Sequence, residues 1–224
     1  MKMKYTLAAL AATSLAANAA VVTLDNYLTE PNGATGGAVG NFRTQTFIAS
    51  TAGDGTNDDV TANSPLPATV YLQQATFLTA VAGSTPTAGQ IFLNVYAGAG
   101  DGGTFLGSST NSIDVGAITP NDPSLSMVWT FNNLALASGT THAFYWSTTN
   151  TAGSSASTRM AVARDSGGGF GSSYSGGVAT NNADGSGAVP FDARFEVKFD
   201  TVPEPSSTAL LGLGGLALIL RRRK

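Results

Sequence analysis

One histidine, His142, and no cysteine stand in a chain of 224 residues. That inventory excludes a disulfide, a thiolate nucleophile and any Cys/His transition-metal site. A Ser-His-Asp triad would have to use His142. No Gly-x-Ser-x-Gly turn precedes a helix to supply its serine. His142 lies inside THAFYWSTT, a strand-like run, where a place in or near the core accounts for it. Calcium needs only oxygen ligands. Asp54-Gly55-Thr56-Asn57-Asp58-Asp59 gathers three carboxylates and an asparagine around a glycine. Its spacing is not that of an EF-hand. Asp, Asn and Gly are also the ordinary residues of turns, which is the first reading. Calcium held by Asp54, Asn57, Asp58 and Asp59 is the second. Asp101 and Asp184 lie in similar glycine-rich turns.

Two further chemistries involve sugars. Glycoside hydrolysis needs two carboxylates facing each other across a cleft. Glu30 falls in a loop and Glu196 on a face that also bears Lys198, so no catalytic residue is assigned and the chain reads as not an enzyme. Sugar binding needs exposed rings with polar groups around the rim. Tyr145 and Trp146 are adjacent in one strand and must point to opposite faces. One is expected in the core; the other is the candidate glycan platform, set against the plainer reading that these rings all fill the core. DSGGGFGSSYSGG has no Lys-Ser/Thr and no following helix, so it is a surface loop and not a phosphate cradle.

Strands must position these residues. In FDARFEVKFD, Phe191, Ala193, Phe195, Val197 and Phe199 share one face, and Asp192, Arg194, Glu196, Lys198 and Asp200 share the other. That strict alternation predicts a half-buried strand of an antiparallel sheet. QIFLNVYAG puts Ile91, Leu93 and Val95 on one face. TVYLQQATFL is β-branched and aromatic, as strands prefer. SMVWTFN, THAFYWSTT and RMAVARD are further candidates, with VVTLDNYL, FRTQTFIA and TFLGSS weaker ones. Turn signals rich in Gly, Asp and Asn separate them. About nine short strands without an amphipathic helix predict an all-β, antiparallel two-sheet sandwich of jelly-roll type.

Only 11% of the residues are charged, against roughly 25% in an ordinary globular chain. Six of the 11 basic residues lie at the two ends. Between Ala20 and Val202 five basic residues face thirteen acidic ones, a net charge of −8. Nucleic acid is excluded as a partner, because phosphate binding needs a basic patch.

The ends read as processing signals. Lys2 and Lys4 precede an apolar run from Leu7 to Ala17, and Ala17-Asn18-Ala19 places small residues at the −3 and −1 positions of a cleavage site. This is the layout of a secretory signal peptide, cut after Ala19. At the other end, residues 206–220 form a short apolar run of roughly 22 Å as a helix, less than the ~30 Å hydrocarbon core. Arg221, Arg222, Arg223 and Lys224 would hold its end on the cytoplasmic side. Pro203 and Pro205 keep the preceding stretch extended. The expected organisation is a signal helix over 1–19, a β-sandwich over 20–201 and a sorting segment over 202–224.

Val202-Pro203-Glu204-Pro205, the glycine-rich then leucine-rich run and the terminal arginine cluster resemble the PEP-CTERM sorting signal. The resemblance covers about the last 23 residues. It implies a Gram-negative bacterium that makes extracellular polysaccharide. It also implies exosortase, a membrane-embedded cysteine transpeptidase-like enzyme, as a partner that processes the chain at or near Pro203, Glu204 and Pro205. The tail is then a transient inner-membrane anchor. The stretch from Thr69 to Phe199, with its VYAG, LGSS, WTF, LASGTTHAFYWS and FEVKF elements in order, resembles a recurring extracellular bacterial β-sandwich. Such sandwiches serve as carbohydrate-binding modules or as passengers on surface proteins. The expected function is therefore a structural or adhesive protein of the cell surface or extracellular matrix. The alternatives are a carbohydrate-binding module, with polysaccharide as partner, and a polysaccharide-active enzyme. No cofactor is expected beyond the candidate calcium.

Overall fold

Every long run expected to be extended forms a strand. A computed structural model describes residues 21–25, 39–49, 59–60, 66–78, 89–114, 126–153, 160–163, 176–189 and 192–201. All of them lie in one compact unit, Val21–Thr201. The strands are β1 (Val21–Asp25), β2 (Val39–Phe42), β3 (Thr44–Ile48), β4 (Asp59–Val60), β5 (Thr69–Leu78), β6 (Gln90–Ala97) and β7 (Thr104–Ser108). Then come β8 (Ile113–Asp114), β9 (Ser126–Ala137), β10 (Thr141–Ser147), β11 (Met160–Ala163), β12 (Ala179–Thr180) and β13 (Phe195–Asp200).

They form two antiparallel sheets and a small accessory ribbon among the described residues. The first sheet runs β4-β1-β13-β5-β9 and the second β12-β3-β10-β6-β7, with β8 beside the start of β6. The ribbon pairs β11 with β2. Counting only the eight main strands β1, β3, β5, β6, β7, β9, β10 and β13 in chain order, the sheets read 1-8-3-6 and 2-7-4-5. The chain therefore keeps crossing between sheets, and its last strand sits between β1 and β5 in the middle of the first.

Alternation decides which side chains meet between the sheets. Val22, Leu72, Phe77, Trp129, Phe195 and Phe199 point inward from the first sheet; Phe47, Leu93, Phe144 and Trp146 point inward from the second. Together they build one continuous core. Phe77 stands at its centre, with ring centroids 5.9 Å from Trp129, 5.7 Å from Phe144, 5.2 Å from Trp146 and 5.7 Å from Phe195. These edge-to-face and tilted contacts add to the burial of the rings themselves. Trp129 also joins the sheets directly: its indole N–H donates to the Ile91 carbonyl at 3.0 Å.

Two departures from regular alternation matter. β9 continues past Asn132, where the run SMVWTFN ends. The β5–β9 register shifts between Leu72 and Gln74, where Gln73 stands opposite residues 131–133 of β9, and Asn133 there has a φ of 52°. Gln73 Nε2 donates to Asn133 Oδ1 and holds the bulge. Second, the regular part of the last strand begins at Phe195, not Phe191. Asp192 and Arg194 were expected to face solvent with Glu196 and Lys198. Both are buried instead. The chain from 192 to 194 leaves the sheet's period and runs against the second sheet, where Gln45 Nε2 donates to Asp192 Oδ1 at 2.9 Å. The Ala193 N–H donates to Gln45 Oε1 at 2.8 Å. Within the regular strand Glu196 and Lys198 keep the outward face, joined by an ion pair at 3.0 Å, but the register shifts between Lys198 and Phe199, and Asp200, also expected on that face, is buried.

Candidate functional site

The aromatic pair comes first, because a sugar platform depends on it. β10 lies between β3 and β6 in the second sheet. Its odd positions face outward and its even positions face the core. Trp146 is inward and Tyr145 outward, as strand geometry requires. Both are fully buried, at 0% exposure. The expectation of an exposed ring at Tyr145 or Trp146 is therefore corrected. The reason is a further layer on the outer face of the second sheet. The chain after β10 folds back over that face: Asn94 Nδ2 donates to the Thr151 carbonyl at 3.0 Å, and the Gly153 N–H donates to the Tyr96 hydroxyl at 3.2 Å. Tyr96 packs edge-on against Tyr145, centroids 5.7 Å apart. Neither ring offers a face to a sugar. The only large hydrophobic residues exposed among the described residues are Val21 and Val178.

His142 occupies the core edge of β10 and stacks on Phe47 at 5.6 Å. Its Nδ1 has no hydrogen-bond partner. Burial pushes the imidazole below its usual pKa, and a smaller opposing effect comes from a hydrogen bond with the Thr140 backbone. Among the described residues it is a packing residue, its ring set against Phe47.

Carboxylates are scattered. No group of three or more His, Asp or Glu side chains that could hold a metal ion exists among the described residues. Asp54, Asn57 and Asp58 of the candidate calcium loop lie outside the described residues. Asp59 is placed only by its backbone, in β4 opposite Asp25. The turns bearing Asp101 and Asp184 do meet. The Asp101 N–H donates to the Ala183 carbonyl at 2.9 Å. A Cβ at Gly100 would stand 2.5 Å from the Asp184 carbonyl carbon. Asp184 is spent on its own turn, its Oδ1 accepting the Ser186 N–H at 2.9 Å.

The remaining candidate is the pole where the chain enters and leaves the sandwich. β1 pairs with β13 along its whole length, from Val21 opposite Asp200 to Asp25 opposite Glu196. Val22 and Phe199 are partners in that ladder and both are in the core. One residue beyond Asp200 the described chain ends at Thr201. From that residue onward a protein-family match takes over: residues 201–224 match the PEP-CTERM protein-sorting motif. The chain thus carries the signal of an exported protein processed by exosortase at the membrane. The match covers the sorting segment and not the sandwich. No curated protein matches the chain.

The motif residues Pro203, Glu204 and Pro205 and the basic Arg221, Arg222, Arg223 and Lys224 lie outside the described residues, as do Ala17 and Ala19 of the signal cleavage site. Among the described residues no helix is long and apolar enough to cross a membrane; segments 1–19 and 206–220 are outside them.

Two structural residues escaped the sequence reading. Gln45 holds the chain before β13, and its signal was present: it shares the inward parity of Phe47 and Ala49, so a polar side chain stood where the core was due. Asn111 covers the free edge of β9, with its Nδ2 on the Val128 carbonyl at 2.9 Å and the Thr130 N–H on its Oδ1 at 2.8 Å. Nothing in the local pattern announces that contact, because it is made across the fold.

Proposed function

We infer that the sandwich is the passenger of a protein secreted through its N-terminal signal peptide, anchored through the short apolar helix over 206–220, and released by exosortase to the surface or matrix of a Gram-negative bacterium. Its role there is structural or adhesive, within a polysaccharide-rich envelope, and not enzymatic. The observation that carries this reading is the sorting motif starting at residue 201, directly after the last strand of the fold. The 1-8-3-6 and 2-7-4-5 strand orders support assigning the passenger to the jelly rolls, whose two sheets share eight strands in this crossing pattern. The acidic balance of the passenger and its covered aromatic rings favour a soluble, inert module over a ring-lined sugar site.

The test replaces Pro203, Glu204 and Pro205 together by alanine in a cell that contains the sorting enzyme. The variant is expected to stay full-length in the membrane fraction while the unaltered chain loses its tail and leaves it. Equal length and equal fractionation of the two chains would overturn the reading.

A further inference from the structure

The first and last strands of the passenger are partners, so the residue that opens the described fold and the residue that closes its last strand lie side by side. Val21 opens β1 and lies opposite Asp200, which closes β13. Cleavage after Ala19 leaves one residue before β1. Pro203 comes three residues after Asp200, a reach of at most about 10 Å. Had the two strands run from opposite poles, a chain held at both ends would have had to stretch around the sandwich to fold. Here Val21 and Asp200, the residues to which the two ends are joined, are partners in one ladder. The strand that joins them is also the last to be exported. β13 lies between β1 and β5, so the first sheet stays split until residues 195–200 have crossed. The next residues to emerge are the sorting segment itself.

From this geometry we propose an order of events: the passenger completes its fold, by insertion of β13 between β1 and β5, while the sorting tail still tethers it, and exosortase then acts on a junction held about three residues from a folded strand. This rests on the sorting reading above. The mature protein then keeps the whole of β13, since cleavage at or near Pro203 removes no residue of the strand.

The chain has no cysteine, so introduced pairs report the order directly. Thr23 and Lys198 are register partners on β1 and β13, within the Cα separation that a disulfide spans. The full-length Thr23→Cys/Lys198→Cys variant is expressed with the sorting enzyme, pulse-labelled, and its free thiols are blocked at intervals. Lys198→Cys/Gln74→Cys reports insertion of β13 against β5 in the same way, because Lys198 and Gln74 are also partners. Thr23→Cys/Gln74→Cys spans two strand spacings, roughly 10 Å, and is the control that must not crosslink. The expected result is that both partner pairs crosslink in the tail-bearing form, and that the crosslinked form then loses its tail as fast as the unaltered chain. Crosslinks found only in chains that have already lost the tail would overturn the proposal. So would a crosslinked precursor that is never processed. If the unaltered chain itself keeps its tail, the sorting reading falls, and the order of events with it.

Discussion

His142 shows how a residue with catalytic credentials becomes a structural one. Its ring lies on Phe47 and its Nδ1 finds no partner. Burial therefore lowers the folded-state pKa below the ordinary 6.5. Proton uptake sets the sign of the consequence. Below 6.5 the unfolded chain binds the proton first, so acid favours unfolding. The stability that depends on a neutral His142 is complete above about pH 6.5 and is lost progressively as the pH falls below it. Carboxylates add their own acid sensitivity, so the useful quantity is a difference. His142→Leu keeps an apolar filler at the site and removes the titration. Between pH 7 and pH 5 its melting temperature is expected to fall by less than that of the unaltered chain. Parallel melting curves for the two proteins would show that the imidazole does not contribute. The two tryptophans make the same point about context. Trp129 has an acceptor for its indole N–H and ties the sheets together, whereas Trp146 is buried without one.

At the level of strands, alternation made most of the fold legible. Phe195, Val197 and Phe199, or Ile91, Leu93 and Val95, announce their inward faces in the bare sequence, because a half-buried strand must separate its two sides. The same rule failed where the chain leaves the sheet. Asp192 and Arg194 obey the period of FDARFEVKFD, yet the chain there turns to Gln45 on the other sheet. The aromatic pair failed for a different reason: that Tyr145 and Trp146 face opposite ways was legible, but the layer that covers the outward one, Tyr145, comes from beyond its own strand. A single strand does not encode what lies above it. The Gln45 contact is testable at this scale. Its amide joins β3 to the segment entering β13 through two buried hydrogen bonds, to Asp192 and from Ala193. Gln45→Leu has similar bulk but removes both bonds. A destabilisation of about 1–3 kcal/mol is expected in chemical denaturation, since losing two buried hydrogen bonds is costly while the added apolar surface recovers only part of that. An unchanged midpoint would mean that the clamp is dispensable.

The whole molecule depends on its last strand more than its length suggests. β13 has six residues, yet it fills the gap between β1 and β5 and sends Phe195, Val197 and Phe199 into the core. Full burial of three such side chains contributes about 5–9 kcal/mol. The net stability of a domain is only about 5–15 kcal/mol, so the sandwich without β13 has little or nothing left. The described core draws every one of its side chains from within Val21–Thr201. Two truncations separate these roles. A chain of residues 20–201 is expected to give a cooperative thermal transition and to resist limited proteolysis. A chain of residues 20–190 is expected to lose both, because β1 then has no partner along its long side and the aromatic cluster around Phe77 opens where Phe195 was. If the shorter chain melted cooperatively at a similar temperature, β13 would be an accessory strand and the first sheet would have to be closed by another route. If the longer chain failed to fold, the tail would be part of the fold, and a sorting cut at the junction would destroy the protein that it releases.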